Sequence, residues 1–76
     1  MRSFREVKHH LQDWGFTYLG CADIADSRTY FFVKKIGDGK YEIAIVEDWL
    51  GDWTPRFRKV DEETLKRIKA RIDKVW

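Results

Sequence analysis

The chain has 76 residues, of which 43% are hydrophobic, 37% are charged and 16% are aromatic. A chain of this length forms at most one domain and buries only about 60% of its unfolded surface, so its aromatic residues must make the core dense. We therefore predict a single α+β domain over residues 1–76. The net charge of +2 excludes a strong overall field that would attract nucleic acid, so any charged partner must be recognised locally.

Several common classes of site and location are excluded by composition. Cys21 is the only cysteine, which rules out an intramolecular disulfide and a cysteine-based zinc site and fits a reducing compartment. No window approaches the ~20 apolar residues of a membrane span, and the N-terminus lacks an apolar signal core. We predict a cytoplasmic protein without a membrane partner, located in the host cytoplasm if a virus encodes it.

A first helix is predicted over residues 4–14. Ser3 and Glu6 fit the capping box that satisfies amides at a helix start, and Gly15 suits the left-handed conformation that ends a helix. Apolar residues recur between them at steps of three and four and predict one buried stripe. The stripe consists of Phe4, Val7, Leu11 and Trp14.

Three antiparallel strands and a second helix follow. Residues 16–22, 30–36 and 41–47 are rich in aromatic and branched side chains, and Gly37-Asp38-Gly39 suits a hairpin turn. Asp61 is an N-cap for a helix over 62–75 with its own apolar stripe. The predicted fold is α-β-β-β-α, with both helices packed on one face of a three-stranded sheet.

The sheet and the residues that follow it leave alternatives open. Residues 49–60 fit a loop, one helical turn from Trp49 to Trp53, or a short fourth edge strand near 54–60. The second and third strands are apolar on both faces, and the predicted helices cover only one. Either residues 49–60 wrap the second face, or it stays open as an interface that favours a homodimer or a partner.

The most unusual tract repeats an acidic and aromatic pair, Asp48-Trp49 and Asp52-Trp53, at a spacing of four. In a helical turn this spacing stacks the two indoles and the two carboxylates on adjacent ridges, which suits a protein partner with a basic surface. The alternative is structural, because a small domain uses its large apolar groups to complete the core.

A second candidate site is basic. Arg56, Arg58 and Lys59 flank Phe57, as in single-strand binders that combine phosphate contacts with base stacking, and Lys66 and Lys69 extend the basic set onto the second helix. The alternative is a solvated connector whose bases pair with nearby carboxylates of Glu47, Asp48 and Asp52.

No catalytic, metal or cofactor signature is present in the sequence. His9 and His10 are neighbours and point about 100° apart on a helix, whereas two ligands of one metal need a spacing of three or four. Gly37 and Gly39 belong to a hairpin and do not form a phosphate-binding loop between a strand and a helix. We predict a protein that is not an enzyme and that uses no cofactor.

Three resemblances concern nucleic acid. Arg28, Tyr30, Phe32 and Val33 resemble the aromatic strand signature of RNA-recognition motif domains, although alternating aromatics in a central strand also fit a core. The element order is similar to that of double-stranded-RNA-binding domains, whose last helix starts with bases where this chain has Asp61-Glu62-Glu63. It is also similar to that of a phage-encoded inhibitor of CRISPR nucleases, which implies occupation of a basic groove.

Our leading functional prediction is a small non-catalytic protein-binding module or inhibitor, viral in origin, that presents Asp48, Trp49, Asp52 and Trp53 to a basic surface such as that of a CRISPR nuclease. The alternative is a nucleic-acid-binding domain that uses Arg56, Arg58, Lys59, Lys66 and Lys69.

Overall fold

The computed structural model describes residues 3–24, 27–47 and 53–72. It contains two helices and four strands, in the order α1 (Phe4–Asp13), β1 (Thr17–Ile24), β2 (Ser27–Gly37), β3 (Lys40–Glu47), β4 (Pro55–Asp61) and α2 (Glu62–Arg71). The α+β class and the three-stranded core are confirmed. A fourth edge strand forms at Pro55–Asp61, as one of the alternatives for residues 49–60 predicts. The alternative of a helical turn from Trp49 to Trp53 concerns residues that, apart from Trp53, lie outside the described part.

The predicted helix caps are present. The Ser3 hydroxyl accepts a hydrogen bond from the Glu6 N–H at 3.3 Å, and the Asp61 carboxylate accepts one from the Thr64 N–H at 2.8 Å. Gly15 has a φ of +92° and donates its N–H to the carbonyl of Gln12, which ends α1. These contacts satisfy backbone groups that a helix terminus would otherwise leave unpaired.

The four strands form one antiparallel sheet in the order β1-β2-β3-β4, so β1 and β4 are its edges. β1 contains a bulge between Tyr18 and Gly20, because Tyr18 lies opposite Phe32 while Gly20 lies opposite Phe31. The bulge adds Leu19 to the strand without a partner in β2 and changes which side chains β1 presents to each face.

Each face of the sheet has its own hydrophobic cluster. The α1 face is covered by α1, and its buried residues are Val7, Leu11, Phe16, Phe32, Ala44 and Val46. The α2 face is covered by α2, and its buried residues are Ala22, Phe31, Ile43, Val60 and Leu65. Neighbouring residues of β3 such as Ile43 and Ala44 belong to different clusters because successive side chains of a strand point to opposite faces.

The prediction that both helices pack on one face is therefore wrong. The middle strands are apolar on both sides, and each face gains stability only when another element covers it. α1 precedes one edge strand and α2 follows the other, which lets the two helices cover opposite faces. The argument for a homodimer through an open face loses its premise, because α2 packs against that face.

Candidate functional site

The acidic-aromatic tract is described only at its last residue. Asp48, Trp49 and Asp52 lie outside the described residues. Trp53 is half-buried and packs against the α1 cluster, with its ring centroid 5.4 Å from that of Phe4 and 5.9 Å from that of Tyr30. The structural alternative is thus confirmed for Trp53, which completes a core.

The bases of β4 are exposed and project to both sides of the sheet edge. Arg56 lies opposite Ile45 and Arg58 opposite Ile43, so both arginines are on the α2 face. Lys59 directly follows Arg58 in the strand, so its side chain points to the opposite face, which is the α1 face. β4 is an edge strand with cations on both flanks.

One of these bases is paired as the connector alternative predicts. The Arg56 Nη2 atom donates to the Glu47 Oε1 atom at 2.7 Å, and the Arg56 side chain remains 69% exposed. This exposure limits the contribution of the pair to stability. The guanidinium also remains accessible to a partner.

The predicted lysines of α2, Lys66 and Lys69, are both exposed. Lys66 lines a shallow depression together with Gly39 and three carboxylates, those of Asp61, Glu62 and Glu63. These acids disfavour a phosphate beside Lys66.

Two large aromatic side chains are exposed beside the β4 bases. Trp14 is 55% exposed and Phe57 is 45% exposed, and their ring centroids are 6.1 Å apart. Phe57 also lies 5.8 Å from the ring of buried Phe16, which anchors the pair to the α1 cluster. We call Trp14, Arg56, Phe57, Arg58 and Lys59 the aromatic–basic surface.

The buried stripe predicted for the first helix includes Trp14, and the prediction is wrong at this residue, which is exposed. α1 ends at Asp13 and Trp14 is its C-cap residue, so its side chain does not continue the stripe of Val7 and Leu11. The available signal was Gly15, which indicates a helix ending just before it and hence a terminal position for Trp14.

The resemblance to RNA-recognition motifs fails at the aromatic strand. Phe32 is fully buried in the α1 cluster and Tyr30 is half-buried against it, so these two rings belong to the core, as the alternative predicts. This fold also differs from the element order of double-stranded-RNA-binding domains, because it has the additional strand β4 and has its helices on opposite faces of the sheet.

A groove is present on the α2 face beside the aromatic–basic surface. It has a volume of about 410 Å³, an apolar floor that includes Phe31 and Ile45, and a rim that includes Glu47, Arg56 and Arg58. The buried side chain of Thr29 also lines it. The two arginines therefore border both an apolar recess and the open sheet edge.

Metal and membrane sites receive no support within residues 3–24, 27–47 and 53–72. No group of three or more His, Cys, Asp and Glu side chains in those ranges is arranged to hold a metal ion. No helix in the same ranges has the length and apolar character needed to cross a bilayer. His9 instead lies 3.5 Å from Asp13, one turn further along α1.

Comparison of the chain with protein-family models, with curated proteins and with solved structures finds no match.

Proposed function

We propose that this domain is a non-catalytic binding module and that its aromatic–basic surface binds single-stranded nucleic acid. The observation that supports this most directly is the joint exposure of Trp14 and Phe57 next to three bases of one edge strand. Burying such an aromatic side chain would contribute about 1.5–3 kcal/mol, so a domain this small forgoes considerable stability by exposing two.

The geometry suits an unpaired strand of nucleotides. Stacking of a base on an aromatic side chain contributes about 1–3 kcal/mol, and an exposed indole beside an exposed phenyl ring offers room for adjacent bases. Arg56 and Arg58 on one flank of β4 and Lys59 on the other would contact the phosphates. A duplex would present its bases stacked on each other and leave this aromatic pair unused.

The charge of the surface sets the expected salt dependence. Three bases contact at most three phosphates, and Arg56 is already paired with Glu47. For single strands the logarithm of the affinity falls with the logarithm of salt concentration by about 0.7 per phosphate, so we expect a slope of about −2 at most. Stacking must supply much of the affinity.

The test is an anisotropy titration of a labelled oligothymidylate and of a duplex of the same length, at two salt concentrations. We expect preference for the single strand, and Trp14→Ala should weaken binding by about 5- to 150-fold, the equivalent of one lost stacked base. Arg58→Gln should weaken binding less and flatten the salt slope. Lys66→Gln is the matched control, because that lysine lies among carboxylates.

Two results would contradict this proposal. One is the absence of saturable binding to any single strand at low salt. The other is binding that Trp14→Ala and Arg58→Gln leave unchanged while both variants remain folded, since the contact surface would then lie elsewhere.

A protein partner is the second candidate function, and the open position of β4 favours it. β4 is hydrogen-bonded to β3 on one side and forms the edge of the sheet on the other, where an extended segment of another protein can add a strand. Acidic side chains on that segment would complement Arg58 and Lys59. Contact with a basic partner through Asp48, Trp49 and Asp52, including inhibition of a CRISPR nuclease, stays a prediction for residues outside the described part.

A further inference from the structure

A second concave site lies on the α1 face, at the opposite end of α1 from Trp14. We call it the α1 pocket. It has a volume of about 220 Å³ and is lined by Phe4, Lys8, Tyr18, Arg28 and Tyr30. α1 has ten residues and is therefore about 15 Å long, which separates the pocket from the aromatic–basic surface. The two sites can be tested independently.

The walls of the α1 pocket are aromatic rings held by the core beneath them. The ring centroid of Tyr30 is 4.2 Å from that of Phe4 and 6.5 Å from that of Tyr18. Behind them, Phe32 lies 5.2 Å from Tyr18, and Trp53 contacts both Phe4 and Tyr30. Because these rings pack against the buried cluster, the pocket is formed before any ligand arrives.

The polar groups of the α1 pocket are cationic. The Lys8 Nζ atom lies 5.4 Å from the centre of the Tyr18 ring, at cation–π distance. The Arg28 Nε atom is 3.3 Å from the Asp23 carboxylate. None of the described residues that line the pocket is acidic, so with Asp23 offsetting Arg28 the net charge of these residues is about one positive.

We infer that the α1 pocket binds a small aromatic anion, one flat ring that carries a phosphate or a carboxylate. The ring would pack against the walls formed by Phe4, Tyr18 and Tyr30, while the anionic group would lie between Lys8 and Arg28. A cationic ligand is disfavoured because Lys8 and Arg28 both line the pocket. The volume is below the roughly 300–1,000 Å³ of pockets for drug-sized ligands, which limits the occupant to about one ring.

The experiment is a titration of the isotope-labelled domain with phenyl phosphate, benzoate, inorganic phosphate and phenol, followed by ¹H–¹⁵N correlation spectra. We expect saturable shifts centred on the amides of Lys8, Tyr18, Arg28 and Tyr30 with phenyl phosphate or benzoate, and weaker binding of phosphate and phenol. Whichever aromatic anion binds more tightly identifies the anionic group.

Variants distinguish specific binding in the α1 pocket from nonspecific attraction of anions to the charged surface. Lys8→Gln should lower the affinity for the aromatic anion by about tenfold, as expected for one lost charged hydrogen bond. Lys8→Arg should restore most of that affinity. Lys40→Gln removes an exposed lysine at the start of β3 and should leave the affinity within about twofold. The dispersion of each spectrum shows whether the variant is folded.

Three outcomes would overturn the inference. They are the absence of saturable shifts, equal affinity for inorganic phosphate and phenyl phosphate, and equal losses in Lys8→Gln and Lys40→Gln. None of these outcomes bears on the binding of nucleic acid by Trp14 and Arg58, which depends on the other end of α1.

Discussion

The two faces of the sheet are built from different kinds of side chain. The α1 face is dominated by rings, with Phe16 and Phe32 buried and Phe4, Tyr18, Tyr30 and Trp53 packed around them. The α2 face is largely aliphatic, with Ile43, Val60 and Leu65 buried and Ile45, Ile68 and Ile72 beside them. The rings of Phe31 and Tyr41 also belong to its cluster. Each face is covered by one ten-residue helix, so the amount of covering structure does not explain the difference.

The contrast between the two faces shows where binding features arise in a domain this small. Branched aliphatic side chains fill space and carry no polar atoms, so they serve packing alone. Rings leave flat walls and, in tyrosine, bring a hydroxyl to the edge of the core. Both the α1 pocket and the exposed pair of Trp14 and Phe57 are extensions of the aromatic cluster, whereas the groove beside Arg58 lies on the aliphatic face.

The largest expected effect comes from removing the centre of each face. Phe32 and Ile43 are both fully buried. Phe32→Ala should cost about 3–5 kcal/mol and Ile43→Ala about 2–5 kcal/mol, and either loss approaches the total stability of a domain of this size. Urea denaturation followed by circular dichroism measures both.

Milder variants at these two positions sharpen the comparison. Phe32→Leu removes the ring that supports Tyr18 and should weaken phenyl phosphate binding in the folded protein, whereas Ile43→Val should leave that binding unchanged. If Ile43→Val lowered the affinity for phenyl phosphate as much as Phe32→Leu, the α1 pocket would depend on overall stability. The claim that only the aromatic face supports the pocket would then be wrong.

A smaller effect distinguishes the two described indoles that border the aromatic face. Trp53 is half-buried against Phe4 and Tyr30, so Trp53→Ala should cost roughly half of the about 3–5 kcal/mol of a fully buried aromatic. Trp14→Ala should cost less than about 1 kcal/mol because its side chain is mainly exposed. Thermal unfolding measures both, with Phe57→Ala as a second exposed aromatic.

The opposite ranking of these two stability losses would contradict the role proposed for Trp14. If Trp14→Ala unfolded the domain and Trp53→Ala did not, Trp14 would be a structural residue. The aromatic–basic surface would then lose its main reason to be a contact surface.

Local patterns predict the elements of this fold because their causes are local. Steps of three and four place Val7 and Leu11 on one stripe, and Ser3 and Asp61 cap helices through contacts within four residues. β4 was only one of three alternatives for its segment, since Val60 is the only buried residue in it and the alternation is hidden by bases. The sequence therefore indicates an edge strand weakly even where one forms.

The arrangement of elements has causes that are not local. An apolar stripe shows that a helix packs on a sheet, but the path of the chain decides which face it covers. The bulge at Leu19 is likewise set by pairing with β2, and it places Tyr18 on the aromatic face. The α1 pocket combines residues from α1, β1 and β2, so no single sequence motif predicts it.

The smallest effect concerns the Tyr18 hydroxyl on the aromatic face. Within the described part of the chain this oxygen is buried without a hydrogen-bond partner, apart from the weakly polar thiol of Cys21 nearby. Tyr18→Phe removes an unsatisfied polar group and keeps the ring, so at pH 7 we expect a change in unfolding free energy between zero and a gain of about 1 kcal/mol.

The effect of the Tyr18 hydroxyl on the free energy of unfolding can be measured at alkaline pH. Burial raises the pKa of Tyr18 above its usual value of 10.0, and the adjacent Cys21 thiol adds to the increase. Above pH 10 the unfolded chain therefore releases this proton before the folded chain does, and the free energy of unfolding falls as pH rises toward the folded pKa. Tyr18→Phe should flatten that decline, whereas Tyr41→Phe on the α2 face should retain it. A loss of stability in Tyr18→Phe at pH 7 would show instead that the hydroxyl makes a stabilising bond, and the aromatic face would then be as fully satisfied as the aliphatic one.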